Sequence, residues 1–437
     1  YSDAGLGKMS RTFHKLYRNN LCRGKYKLAK RPLLINNWEG TYFGFTREKL
    51  IEIAREASKL GIEMFVLDDG WFGIRNDGTT SLGDWFVNEE KLPGGMKVLA
   101  DEINALGMKL GLWFEPEAIS PISKLYEAHP DWCLHVGNRE RSEARRELIL
   151  DMSREDVRDY LFDAMSKILD SANIEYIKWD FNRNITEAGS ALLPPDRQKE
   201  IFHRYVLGLY ELTERLLKKY PYLLLEGCSG GGGRYDAGML YYAPQIWTSD
   251  DSDAVERIRI QYGTSFCYPA SSMSAHVSAS PNHQTGRDTS FETRGNIALA
   301  GAFGYELDIS KLTDDEKELV KKQVANYHKY YDVIQNGDLY RLISPFENDR
   351  YAAWEYVSES KKEALVTFAV SRAFFATTVF LRLRGLDPTL TYIDEATGKE
   401  YDGDALMYGG LNMCRETSNS NVCYKDGESV VIHLIAK

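Results

Sequence analysis

From about Pro32 to about Thr313, short apolar runs alternate with longer segments of helical period, the pattern of βα units around a parallel sheet. LLIN at 33–36 reads as a first strand, and TREKLIEIAREASKL after it sets Leu50, Ile53, Ala54, Ala57 and Leu60 on one helical face behind Thr46 as N-cap. EMFVLDDGW at 63–71, KLGLWFEPE at 109–117, LILDMS at 148–153, YIKWDFN at 176–182, LLLEGCSGG at 223–231 and QIWTSDD at 245–251 read as six more strands, with an eighth in 271–300. Ser153 is expected to cap a helix carrying Val157, Leu161, Ala164 and Ile168, and Pro194, Pro195 and Asp196 to open another. Eight such units predict an α/β fold of the (β/α)8 TIM-barrel type, and no GxGxxG follows the first strand as a dinucleotide-binding fold would require.

Beyond the helical stretch TDDEKELVKKQVANYHKYYDVI the period shortens. RYAAWEYVS, EALVTFAV, TTVFLRLRG, LTYID and SVVIHLIA alternate and are bounded by turns, which predicts a smaller C-terminal antiparallel β-sandwich. The expected division is a barrel over 31–340, the sandwich over 341–437, and a leading segment over 1–30. That segment has neither an initiator Met nor the apolar core of a signal peptide, so the chain reads as part of a longer one.

Composition narrows the partners. A hydrophobic fraction of 43% and a charged fraction of 27% belong to a globular chain, and no apolar run approaches the length of a membrane span. A net charge of -10 argues against nucleic acid and leaves a neutral substrate as the better fit. The six cysteines show no CxxC pair and no metal-ligand spacing and the eight histidines no HExxH, so a histidine-ligated metal is not expected. Cys414 and Cys423 are the pair that could bridge under oxidising conditions.

Polar residues crowd the C-terminal ends of the predicted strands: Asp68 and Asp69, Trp113 with Glu115 and Glu117, Lys178 with Asp180 and Asn182, Glu226 with Cys228, and Asp250 with Asp251. A barrel of this type builds its active site there. Alternation puts Lys178, Asp180 and Asn182 on one face, with Lys178 as the expected charge partner of Asp180. Two carboxyl groups at one mouth are the minimal apparatus for glycosidic cleavage. Trp38, Trp71, Trp113, Trp179 and Trp247 could stack on the apolar face of a sugar. Each feature also has a plain reading: Asp68-Asp69-Gly70 as a turn, Lys178 with Asp180 as a structural pair, and the SGGGGR run at 229–234 as a phosphate cradle lacking the GK[ST] ending.

Taken in order, VLDDGWF, GLWFEPE, KWDFNR, EGCSGGGGRYD, WTSDDSDAVERIRIQYGTS and ETRGNIALAGAFGYELD resemble the successive motifs of the α-galactosidases in family 36 of the glycoside hydrolases, over nearly the whole chain. The resemblance implies a retaining enzyme that uses no cofactor, with Asp180 as nucleophile and Asp250 as general acid/base. It implies that Asp68 and Asp69 hold O4 and O6 of galactose and that Trp38, Trp113, Arg145, Lys178, Asn182, Cys228, Gly230 and Trp247 line the sugar. It further implies a galactose-containing oligosaccharide of the melibiose or raffinose type as substrate, a cytoplasmic bacterial setting, and a homotetramer for the full-length protein. Residues 1–30 would then be the exit of an N-terminal β domain. Alternatives at the same site are an α-galactosyl transglycosidase, an α-N-acetylgalactosaminidase or a galactose-binding fragment without activity, and from another class a metal-dependent carboxylate barrel.

Overall fold

The barrel strands are short and buried on both faces, as parallel strands flanked by helices must be. They are β1 (Leu34–Asn36), β2 (Met64–Leu67), β3 (Lys109–Phe114), β4 (Ile174–Trp179), β5 (Leu224–Gly227), β6 (Gln245–Trp247), β7 (Met273–Ser278) and β8 (Ala302–Glu306). In the computed structural model, which describes residues 2–373, 379–413 and 424–437, these eight close into a barrel in sequential order. The expected TIM-type fold is present. Cys414 and Cys423 lie outside the described residues; Cys22, Cys133, Cys228 and Cys267 form no disulfide among the described residues.

The partition of the strands differs from the expectation in two places. Leu148–Ile149 is not a barrel strand; it pairs antiparallel with Ala118–Ile119 in a separate ribbon. A parallel neighbour needs a crossover of a dozen or more residues, usually a helix that packs back on the sheet, and between these strands stand a five-residue helix, Lys124–Ala128, and a single turn, Pro130–Trp132. The whole stretch from 115 to 154 is therefore an excursion after β3. Ser153 does not cap the next helix; its Oγ donates to Asp151, and Arg154 occupies the cap position without a capping side-chain bond. The strand in 271–300 is the seventh, and the eighth is AFGYE at 302–306.

Contacts divide the chain into two compact units, 22–247 with 306–311, and 1–21 with 248–305 and 312–437. In the first, helix α2 (Arg47–Lys59) buries Leu50, Ile53, Ala54 and Ala57, and the Thr46 hydroxyl accepts the Lys49 N–H as read from the sequence. Met64, Val66, Tyr176 and Leu224 fill one layer, with Leu34 and Tyr26 against them. Gly111 makes that layer possible: a Cβ there would stand 2.7 Å from the Tyr176 ring. Helices α3 (Gly95–Ala105), α4 (Glu155–Ser171) and α5 (Ile201–Lys219) are the other long helices of this unit.

In the second unit, α1 (Gly5–Leu16) is formed by the leading segment, α6 (Ala254–Thr264) and α7 (Phe291–Ala298) accompany β7 and β8, and α8 (Asp314–Asn336) opens on a complete capping box of Thr313 and Glu316. Strands β9 (Asp338–Ile343), β10 (Tyr351–Val357), β11 (Glu363–Val370), β12 (Thr391–Asp394), β13 (Glu400–Asp402) and β14 (Ser429–Ala436) form an antiparallel sheet in the order β9-β10-β11-β14-β12-β13. A two-stranded ribbon, Phe380–Leu381 with Leu411–Asn412, supplies Leu381 and Leu411 to the same core as Val366, Phe368 and Leu434.

Candidate active site

Polar side chains at the ends of β1, β2 and β4 meet in one buried cluster of the first unit. Asp68 accepts from Asn36 Nδ2 at 2.6 Å, from Lys178 Nζ at 2.8 Å and from the Asp69 N–H at 2.9 Å. Burial alone would lower the Lys178 ammonium, but the Asp68 and Glu306 carboxylates outweigh it and hold it well above its ordinary value. This corrects the expected pairing. The direct partner of Lys178 is Asp68, and Asp180 contributes only a weaker attraction.

Asp69 turns the other way. Arg75 grips it with Nε to Oδ1 at 2.7 Å and Nη2 to Oδ2 at 2.8 Å. The arginine is placed in turn by Lys91, whose ammonium donates to the carbonyls of Phe43, Gly70 and Arg75. Two adjacent aspartates thus face different cations, and the turn reading of Asp68-Asp69-Gly70 is too small for what they do.

Asp180, just past β4, is held by neutral donors. Its Oδ1 accepts the Phe181 N–H at 2.8 Å and the Gly230 N–H at 3.3 Å, and its Oδ2 accepts Trp113 Nε1 at 3.1 Å. Gly230 has φ 51°, so a residue with a side chain would be strained at the point where backbone approaches the carboxylate. Asn182 donates from its backbone and side chain to Glu115 at 2.5 and 3.0 Å. Burial, reinforced by the charges of Glu147 and Asp180, pushes Glu115 well above the usual carboxylate range.

The glycine-rich run that carries Gly230 is anchored from behind. Arg234 donates to both oxygens of Glu117 at 2.9 and 2.8 Å, and Trp179 Nε1 and the Tyr205 hydroxyl take the same carboxylate at 2.9 and 2.7 Å. Ser229 Oγ reaches the Phe181 carbonyl and Cys228 N–H the Trp179 carbonyl, both beside Asp180. Arg234 serves the loop and is not directed at a phosphate.

The tryptophans separate into two kinds. Trp71 packs edge-on against Phe72 and Phe114 and turns its Nε1 to the Trp113 carbonyl, and Trp179 gives its Nε1 to Glu117, so the N–H of each is spent within the core. Trp113 reaches the site through its N–H, Trp247 lies 5.6 Å from Lys178 Nζ, and Trp38 is only partly covered, edge-on to Tyr42 and Phe43. Arg145 is exposed, with Nε 3.7 Å from Oε1 of buried Glu147.

Asp250 belongs to the second unit and is exposed. Its loop is shaped by Arg257, which donates to the carbonyls of Ser249, Asp251 and Ser274, and by Gln284 Nε2, 2.9 Å from the Asp250 carbonyl. Asp251, partly buried, accepts the Asp253 N–H; Asp253 caps α6 and pairs with Arg287 at 2.9 Å.

Sequence reasoning passed over Asn36, Arg75 and Glu147. Asn36 carried a usable signal, a polar pair closing an apolar strand; Arg75 and Glu147 lie in irregular segments where no period marks them. Among the described residues no group of three or more His, Cys, Asp or Glu side chains is arranged to hold a metal ion.

The chain is 56% identical over 420 residues to the α-galactosidase AgaA of Geobacillus stearothermophilus, covering 96% of this chain and 57% of that protein. It is 51% identical over 413 residues to the bifunctional α-galactosidase/sucrose kinase AgaSK of Mediterraneibacter gnavus, covering 94% and 43%. The crystal structure of AgaA superposes with a TM-score of 0.96 at 54% identity, over all of this chain and 60% of that one. The chain thus spans between 43% and 60% of the length of these relatives. The melibiase family model matches residues 1–337 and the glycosyl hydrolase family 36 C-terminal domain residues 351–434. Matched along both parts, the chain belongs to the melibiases of glycosyl hydrolase family 36.

Proposed function

We propose that the protein is a retaining α-galactosidase acting on terminal α-1,6-linked galactose, with Asp180 as nucleophile and Asp250 as general acid/base. The observation that carries this reading is the holding of Asp180. Two backbone N–H groups engage Oδ1, while Oδ2 has a single indole donor and keeps a lone pair for attack. In the first step Oδ2 bonds to C1, the glycosidic C–O bond breaks, and Asp250 gives its proton to the leaving oxygen. In the second, Asp250 takes a proton from water, the water oxygen bonds to C1 from the face the aglycone left, and Asp180 departs with net retention.

Recognition follows from the remaining groups. Asp68 and Asp69, each fixed by its own cation, offer acceptors to O4 and O6, and Lys178, Trp113, Asn182, Cys228, Gly230, Arg145, Trp38 and Trp247 line the ring. Variants of AgaA have been crystallised with raffinose and with stachyose, which supports oligosaccharides of that type as substrates here. Assembly of the full-length protein as a homotetramer inside a bacterial cell completes the proposal. No helix of the described residues is long and apolar enough to cross a membrane.

The test is turnover of an aryl α-galactoside by the wild-type chain and by Asp180→Gly. The variant should lose about a thousandfold or more in kcat, and added azide should restore it with β-galactosyl azide as product. Near-normal activity in the variant, or the α anomer as product, overturns the assignment. In Asp250→Asn the basic limb of the pH–rate profile should vanish for substrates with poor leaving groups; loss of that limb in Asp251→Asn instead would exchange the two neighbours.

A further inference from the structure

Between Ala144 and Glu147 the chain turns back on itself. The Ala144 N–H donates to the Glu147 carbonyl at 3.3 Å and the Glu147 N–H to the Ala144 carbonyl at 3.0 Å. Both central residues are left-handed, Arg145 with φ 56° and Arg146 with φ 63°. A two-residue turn of this hand is ordinarily made by Asn and Gly, because a Cβ is disfavoured at either position. Two successive arginines occupy it against that preference.

Glu147, which closes the turn, carries a second cost. Its side chain is 1% exposed, and its Oε2 has no hydrogen-bond partner. Its Oε1 lies 3.7 Å from Arg145 Nε, close enough for attraction and too far for a hydrogen bond. Burial pushes Glu147 up to about 7; Arg145 and Arg75 oppose the rise, while Asp69 and Asp180 add to it. Glu115 is a further buried acid whose carboxyl is raised in part by the charge of Glu147, and Arg183 donates to the Glu147 backbone carbonyl, the Ser142 carbonyl and Thr186 Oγ1 and not to the Glu147 carboxylate. A buried acid with one bare oxygen next to a doubly left-handed turn stabilises nothing by itself, and strain of this kind collects where function requires it.

We propose that Glu147 is a positioning residue: it draws the exposed Arg145 guanidinium toward the carboxylate cluster and holds it for a hydroxyl of the bound sugar, while the left-handed turn sets the angle from which the arginine enters. This rests on the galactosidase reading of the same site. It adds to that reading the group that aims Arg145 and a pH range in which the aim is lost.

The test uses E147Q, which keeps the shape and removes the charge. At pH 8 the KM for p-nitrophenyl α-galactoside should rise about tenfold with kcat changed little, the split expected when ground-state and transition-state binding are lost together. As pH falls through 7, the wild-type KM should climb toward that of the variant, whose own KM stays flat. A KM unchanged by E147Q in a chain that turns over galactoside overturns the proposal. An independent arm needs no activity. Because the acid is easier to protonate in the folded chain, its contribution to stability is present at low pH and lost as pH rises through 7, so E147Q should raise Tm at pH 8 and not at pH 5. The gain should be larger in an R145A background, where no guanidinium offsets the charge; equal gains with and without Arg145 overturn the coupling. A chain that hydrolyses no galactoside refutes the hydrolase reading alone, and the thermal cycle still decides the placement of Arg145.

Discussion

Lys178 makes its ion pair across the barrel interior. It stands on β4, its partner follows β2, and β3 lies between them. With side-chain exposures of 6% and 4%, neither group can recover its hydration if the other is removed. Lys178→Met should therefore cost about 3–5 kcal/mol in denaturant unfolding, and it should weaken galactoside binding because Asp68 loses the contact that fixes it. The same residue marks a limit of reading from sequence. Alternation says correctly that Lys178 and Asp180 share a face, but a contact between non-adjacent strands depends on the curvature of the sheet, which no period records. Asp68, Asp69, Asp180 and Gly230 were legible because they interrupt apolar strands at their ends. Glu147 was not, because a two-residue turn of arginines has the composition of any exposed loop.

Helix α1 shows how an element is fixed by a few polar contacts. Ser10 and His14, four residues apart and hence on one face, both reach the Ser265 carbonyl at the end of α6, at 3.1 and 2.8 Å, and Arg341 of β9 donates to Ser10 Oγ at 2.8 Å. Burial drives His14 down to about 3, so the ring is neutral and donates through Nε2. The unfolded chain takes up a proton near 6.5 and the folded one does not. The stability that a neutral, buried His14 contributes is therefore complete above pH 6.5 and falls as pH drops toward 3. Melting temperatures between pH 7.5 and 5 should decline less steeply in His14→Gln than in the wild type. At this scale the long helices were legible from period and caps, as Thr46 and the Thr313–Glu316 box show. The ribbon at 148–149 was not: two apolar residues beside an acidic turn look the same whether their neighbour is parallel or antiparallel.

Over the whole molecule the number of barrel strands was read correctly with one member exchanged, since AFGYE at 302–306 is set off from the apolar end of the preceding helix by a three-residue turn marked only by Gly301. The architecture survived that error because eight closely spaced units constrain the fold more tightly than any one of them does. The acids at the barrel mouth are already engaged within the chain, Asp68 and Asp69 by cations, Asp180 and Glu115 by N–H donors. Dialysis against EDTA should accordingly leave both the melting temperature and the turnover of an aryl galactoside unchanged; a loss of either that added metal restores would bring back the metal-dependent reading.

Glu117 has a consequence for inheritance. Four donors from three separate segments converge on one carboxylate, so no single step in sequence space leaves the set satisfied. Trp179, Tyr205 and Arg234 should drift only together with it. Lineages that exchange one of the four should be found to have exchanged the others, and a library randomised at position 234 alone should return arginine.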